Sequence, residues 1–184
     1  MMVLIMTTHV MVDIETHSTQ TFAAIASIAA AVFDPNGKSI TAAFYRNVQP
    51  DSCDEIGLHF DPEVAAWWER QDPQVRDALK DNQLPIRQVL SEFKDWYHNK
   101  GATHIWSQGA SFDVPILANA YSMLSMKTPW NFMNVRDTRT IYDVSDFNVG
   151  LVKRGAKHEA ASDVLFQVRC VQGSYAKLKI ERGM

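Results

Sequence analysis

The tetrapeptide Asp34-Pro35-Asn36-Gly37 restricts the fold of this chain more than any other feature. It separates two runs rich in apolar residues, Ile25 to Phe33 and Ile40 to Val48. Proline presets φ for a reversal, and Asn and Gly accept the left-handed backbone that a tight turn requires. The two runs are therefore predicted to pair as an antiparallel hairpin. A third run, Thr8-His9-Val10-Met11-Val12-Asp13-Ile14, precedes them and extends the hairpin to a three-strand meander.

Beyond residue 60 the pattern becomes helical. Asp61-Pro62-Glu63 and Asp72-Pro73 each put a capping acid before a first-turn proline, predicting helices through Trp67-Trp68 and to about Lys80. From Pro85 to Lys100 the apolar residues Ile86, Val89, Leu90, Phe93, Trp96 and Tyr97 keep helical spacing, and Gly101 closes the segment. A short buried strand is predicted at His104 to Ser107, a helix from Ser111 to Met126 and a strand from Asn131 to Val135. Helices are predicted again at Thr138 to Val144 and Glu159 to Lys179. A meander followed by alternating strands and helices predicts one α/β domain over residues 1–184, with a central mixed sheet flanked by helices. The stretch Ser145 to Lys157, with Gly150 and Gly155, has no periodicity and reads as a long functional loop.

With 184 residues, 46% of them hydrophobic and 21% charged, the chain has the material for one soluble core. Its two cysteines, Cys53 and Cys170, are far apart and in no metal-ligand spacing, so a reducing cytoplasm is the expected setting. The apolar start, Met1 to Met6, has no basic lead-in for a signal peptide, and no run reaches transmembrane length. A net charge of −3 excludes a general positive field for gripping nucleic acid. It leaves room for an acidic site whose local sign bound cations would reverse.

Three clusters could carry chemistry. In Asp13-Ile14-Glu15-Thr16 two carboxylates one residue apart at a strand end project to the same face. Such a pair repels unless a hard cation such as Mg²⁺ or Mn²⁺ lies between its members; alone, the pattern fits an exposed strand end equally well. Ser111-Phe112-Asp113 follows a buried strand and opens a helix, where a helix-capping acid is the simpler account. In His158-Glu159-Ala160-Ala161-Ser162-Asp163 a histidine after a glycine-containing loop precedes an aspartate in the first turn of a long helix.

Together these clusters resemble, in order, spacing and placement, the three motifs of the DEDDh group of 3′→5′ exonucleases. That superfamily contains the proofreading exonuclease of bacterial DNA polymerase III and RNase T. The resemblance runs from about residue 8 to residue 175. Within the group, Asp61 to Asp72 with the Trp67-Trp68 pair, Gln108 to Leu117, and Arg136-Asp137-Thr138-Arg139-Thr140 are similar to the phage exonuclease A and exonuclease VIII type and to related small exoribonucleases. His17 departs from it, because relatives more often carry Met or another apolar residue there.

The resemblance implies an RNase H-like fold and a two-metal site for Mg²⁺ or Mn²⁺ held by Asp13, Glu15, Asp113 and Asp163, with His158 as general base. Asp13 would bridge both ions, and Asp113 would act partly through water. Ile14, Thr16, His17, Phe112, Trp68 and Arg139 are the expected substrate contacts, with Thr16 near the terminal sugar and His17 near its base. Apart from the resemblance, Arg136, Arg139, Lys153, Arg154 and Lys157 cluster around the third motif, where a basic group would contact substrate phosphates, although a solvated surface charge fits each one at least as well. The implied substrate is the 3′ end of DNA or RNA, single-stranded in the simplest case, released as 5′-mononucleotides. A homodimer is a further expectation, because dimers are common in the superfamily. A phosphodiesterase acting on small nucleotides, or a silent RNase H-like binding module, are the alternatives. The presence of all five acid and base residues argues against the silent module.

Overall fold

The computed structural model describes residues 7–109 and 111–179. Met1 to Met6, on which the signal-peptide reading rests, and Ala110 lie outside the described residues. Strands β1 (His9–Thr16), β2 (Ile25–Phe33) and β3 (Ile40–Asn47) form the antiparallel meander. On the other side of β1, the strands β4 (His104–Ser107) and β5 (Val135–Asp137) add in parallel, giving the order β3-β2-β1-β4-β5. This is the mixed sheet that the sequence predicts, with β1 at its centre.

The alternation of β1 divides the molecule into two cores. Val10, Val12 and Ile14 pack with Val89, Leu90 and Phe93 of α4 (Ile86–Asn99) and Ile116 and Leu117 of α5 (Asp113–Met123). Met11 packs on the opposite face with Trp106 and with Val164, Val168 and Val171 of α7 (Ala160–Leu178). Asp13 and Glu15 continue the Met11 row, so the strand period directs both carboxylates toward α7. Strand β2 is buried along its whole length, and its alanines let α7 pack close to the sheet.

The proline-led helices α2 (Pro62–Trp68) and α3 (Pro73–Ala78) start as expected, with Asp61 accepting from Glu63 N–H and Asp72 from Gln74 N–H. A five-residue helix, α1 (Pro50–Asp54), was not expected. The strand predicted at Asn131 to Val135 begins later. Asn131 accepts a hydrogen bond from Met133 N–H and closes a 3-10 turn over Phe132–Asn134, so pairing starts at Val135. Helix α6 (Thr138–Ser145) follows, and the long loop after it contains only the short 3-10 turn Val149–Leu151. Among the described residues Cys53 and Cys170 are free and buried, and no helix is long and apolar enough to cross a membrane.

Asn47, buried at the end of β3, ties the meander to the end of α3. Its Nδ2 donates to the carbonyls of Ala78 and Asp81, and its Oδ1 accepts from Tyr45 OH. Asn47→Ala should cost about 1–3 kcal/mol, since carbonyls lose their donors. Asn47→Asp should cost more at neutral pH, because a carboxylate would face two carbonyl oxygens. Urea midpoints check this; equal values for both variants and wild type would contradict it.

Candidate active site

The site forms where the C-terminal end of β1 outruns its parallel neighbour. Strand β4 pairs only with His9 to Met11, which leaves the end of β1 uncovered on that side. There Ile14 N–H donates to Asp113 Oδ1 at 3.1 Å, from the first turn of α5. The helix predicted from Ser111 thus begins at Asp113, and this acid bonds to the strand beside the D-x-E pair. From the other side, the first turn of α7 brings in Asp163. Carboxylate oxygens of Asp13, Glu15 and Asp163 lie within 4.8 Å of one another. Two oxygens bonded to one cation at about 2.1 Å stand at most about 4.2 Å apart, so a small adjustment of the side chains would close the cluster around a shared ion.

The electrostatics follow from this crowding. Burial, together with the charges of Asp113 and Glu15, holds the Asp13 carboxyl well above the usual carboxylate range, while a hydrogen bond from Gln167 works against the shift. Burial and the nearby Asp163 and Asp113 push Glu15 up to about 8. Asp113 is raised to about 7 by burial, with the Ile14 N–H bond and the Arg139 charge opposing. Three oxygen donors of this kind suit a hard divalent cation such as Mg²⁺ or Mn²⁺.

Asp163 is engaged at both oxygens. Its Oδ1 accepts from Arg154 Nε at 3.0 Å and Nη2 at 2.8 Å, and its Oδ2 accepts from His158 N–H at 3.2 Å. Arg154, read from sequence as a phosphate contact, thus also balances charge within the cluster, and its guanidinium lies 5.0 Å from the centre of the Phe166 ring. His158 adopts the left-handed backbone, φ +61°. Its ring meets Trp67 edge to face at 4.7 Å.

Beside the carboxylates is a cleft of about 480 Å³, within the usual range for a small-ligand site. Ile14, Glu15, Thr16, Trp67, Trp68 and Phe112 are among its lining residues. The two tryptophans diverge as a helix requires. Trp68 is buried and donates from Nε1 to the Thr16 carbonyl, while Trp67 is half-buried between the cleft and His158. Two expected contacts, His17 and Arg139, are not among the residues lining this cleft. His17 stacks on Phe60 with ring centres 5.2 Å apart, and burial lowers its pKa. Arg139 lies over Gly109, whose φ is +119° and where an added Cβ would come within 3.2 Å of the guanidinium.

Gln167 is the site residue that motif reading missed. Its Nε2 donates to Asp13 Oδ1 at 2.6 Å. The available signal was its place one helical turn after Asp163, a polar side chain on the apolar face of α7.

The raised carboxylates carry a stability consequence. Between the ordinary value for glutamate, 4.5, and about 8, folded Glu15 holds a proton that the unfolded chain has released. The metal-free protein should therefore lose stability as pH rises across this window, with Asp13 and Asp113 adding to the same slope. Thermal unfolding in chelator from pH 5 to 8.5 should show a falling Tm, and Glu15→Gln should flatten the curve. A Tm that is level or rises would contradict this electrostatic picture.

The comparisons with known proteins agree with this geometry. The family model of the Rv2179c-like 3′-5′ exoribonuclease domain matches residues 8–175. No curated protein matches the chain. Among solved structures, E. coli exonuclease I in complex with a 5cy-dA13 oligonucleotide is similar with a TM-score of 0.65 at 14% identity, over 92% of this chain and 40% of that one. The present chain thus spans two fifths of the length of exonuclease I. The nuclease domain of 3′hExo, a DEDDh family member bound to rAMP, has a TM-score of 0.59 at 16% identity and covers 90% of both chains. At these identities the solved structures show the shared fold, and the match over residues 8–175 shows the family: the chain belongs to the Rv2179c-like 3′-5′ exoribonuclease domains.

Proposed function

We propose that the protein removes nucleotides one at a time from the 3′ end of single-stranded RNA and releases 5′-mononucleotides, using two divalent cations, Mg²⁺ or Mn²⁺. The observation that carries this reading is the convergence of Asp13, Glu15 and Asp163 beside an aromatic-lined cleft. RNA is favoured over DNA by the family's description as exoribonuclease domains.

Asp13, Glu15 and Asp163 would hold the ions, with Asp113 supporting them from the α5 side. When bound, a metal pair of this kind stabilises the attacking and leaving oxygens of an in-line displacement. The chain does the rest. Trp67, Trp68 and Phe112 offer flat apolar walls for the terminal nucleotide, and Thr16, which also lines the cleft, would lie near its sugar. A cleft that took up the terminal nucleotide would select a chain terminus over an internal bond. His158 takes the proton from the attacking water, a role suited to imidazole. Its place on the loop before α7 allows the ring to leave Trp67 when substrate enters. Arg154 and Arg139 would answer phosphate charge once cations have neutralised the carboxylates.

Digestion of 5′-labelled single-stranded and duplex RNA and DNA, with Mg²⁺ or Mn²⁺, tests the proposal. Single-stranded RNA should shorten stepwise from its 3′ end, and free nucleotides should be inert. His158→Ala should lower kcat by about 10²–10⁴-fold, with Mn²⁺ affinity unchanged. Internal cleavage, faster turnover of DNA or of small nucleotides, or full activity in His158→Ala would contradict it.

A further inference from the structure

We propose that Gln167 is a positioning residue for the metal site: its amide nitrogen fixes Asp13, and its amide oxygen accepts a hydrogen bond from water carried in by a divalent cation. The inference rests on the two-cation reading above and assigns a role to a residue outside the acid and base set.

Asp163 and Gln167 stand four residues apart on α7, so both project from one face toward the end of β1. Gln167 is 2% exposed. Its Nε2 lies 2.6 Å from Asp13 Oδ1, and its main-chain carbonyl accepts from Tyr142 OH, which ties this turn of α7 to α6. With Asp13 ionised, as it would be when it holds a cation, the amide presents its nitrogen, since the reverse would set an amide oxygen against a carboxylate oxygen at the same distance. The other end of the amide, Oε1, is buried and has no hydrogen-bond donor in the protein. Buried acceptors are rarely left without a donor, and one beside a carboxylate cluster points to a donor that enters with a ligand. A hydrated divalent cation brings such O–H groups.

The residue type fits this task. A lysine or arginine here would place a second fixed cation among the carboxylates and compete with the metal, as Arg154 already does at Asp163. A glutamate would add one more mutually repelling acid. A neutral amide supplies one donor for Asp13 and one acceptor for water without altering the net charge. Groups in this position, which orient the ligands and do not touch the ion, commonly change metal affinity by about 10–100-fold when removed.

Mn²⁺ binding in the absence of nucleic acid, measured by calorimetry on wild type, Gln167→Met and Gln172→Met, tests the proposal. Gln172 is a matched control on the same helix. It is also buried, and its Nε2 donates to the Asp34 and Ser39 carbonyls, away from the carboxylates. Gln167→Met should weaken Mn²⁺ binding by about 10–100-fold and keep a cooperative unfolding transition. Gln172→Met should lower stability and leave Mn²⁺ affinity as in wild type. Unchanged affinity in Gln167→Met overturns the inference and leaves the two-cation reading standing, whereas a wild-type protein that binds no Mn²⁺ overturns that reading first. Wild type alone gives an independent check that needs no variant to fold. The side-chain amide signals of Gln167 in ¹⁵N NMR should move on addition of Mg²⁺ while those of Gln172 stay in place, and static Gln167 signals would overturn the inference.

Discussion

Mutual repulsion among carboxylates held in a poorly solvated space is the constraint around which this molecule is arranged. Asp13, Glu15 and Asp163 approach within 4.8 Å, and Asp113 stands close enough to raise the pKa of two of them. Isolated from counter-charge such a group is unfavourable, and a fold selected only for stability would disperse it. Three of the four are instead held by specific contacts. Ile14 N–H fixes Asp113, Gln167 fixes Asp13, and Arg154 with His158 N–H fixes Asp163. The repulsion that remains is what a bound cation would relieve.

The scaffold that imposes this arrangement is simple. The period of β1 separates a greasy face, Val10, Val12 and Ile14, from a face that begins with Met11 and ends in acids. The early end of β4 exposes the last turn of that strand, so that α5 and α7 can approach it from opposite sides. Helix α7 then serves twice: Val164, Val168 and Val171 anchor it to the sheet, while Asp163 and Gln167 reach the carboxylates. Anchoring and chemistry share one rigid element, which limits how far the ligands can drift.

Much of this was legible from sequence because it is local. The Asp-Pro-Asn-Gly turn, the shared face of Asp13 and Glu15 and the proline-led helices at Pro62 and Pro73 follow from backbone rules alone. The exceptions have physical causes. Helix α1 spans five residues, too few for a periodic pattern. The start of β5 depends on whether Asn131 caps a turn or extends a strand, and the cap prevails. The turning of His17 onto Phe60, and the engagement of Asp163 by Arg154, depend on tertiary neighbours that no spacing rule contains. Gln167 lies between these cases, because its helical spacing from Asp163 was visible but nothing in the motif marked it.

The central claim is that the carboxylate cluster is a metal centre. Crystals grown with Mn²⁺ and a nucleoside 5′-monophosphate, measured at the manganese absorption edge, address it directly. The account predicts two anomalous peaks about 3.5–4 Å apart, one of them within bonding distance of Asp13, Glu15 and Asp163, with the phosphate of the nucleotide beside them. No anomalous density at these carboxylates, with the nucleotide bound in the cleft, would contradict it.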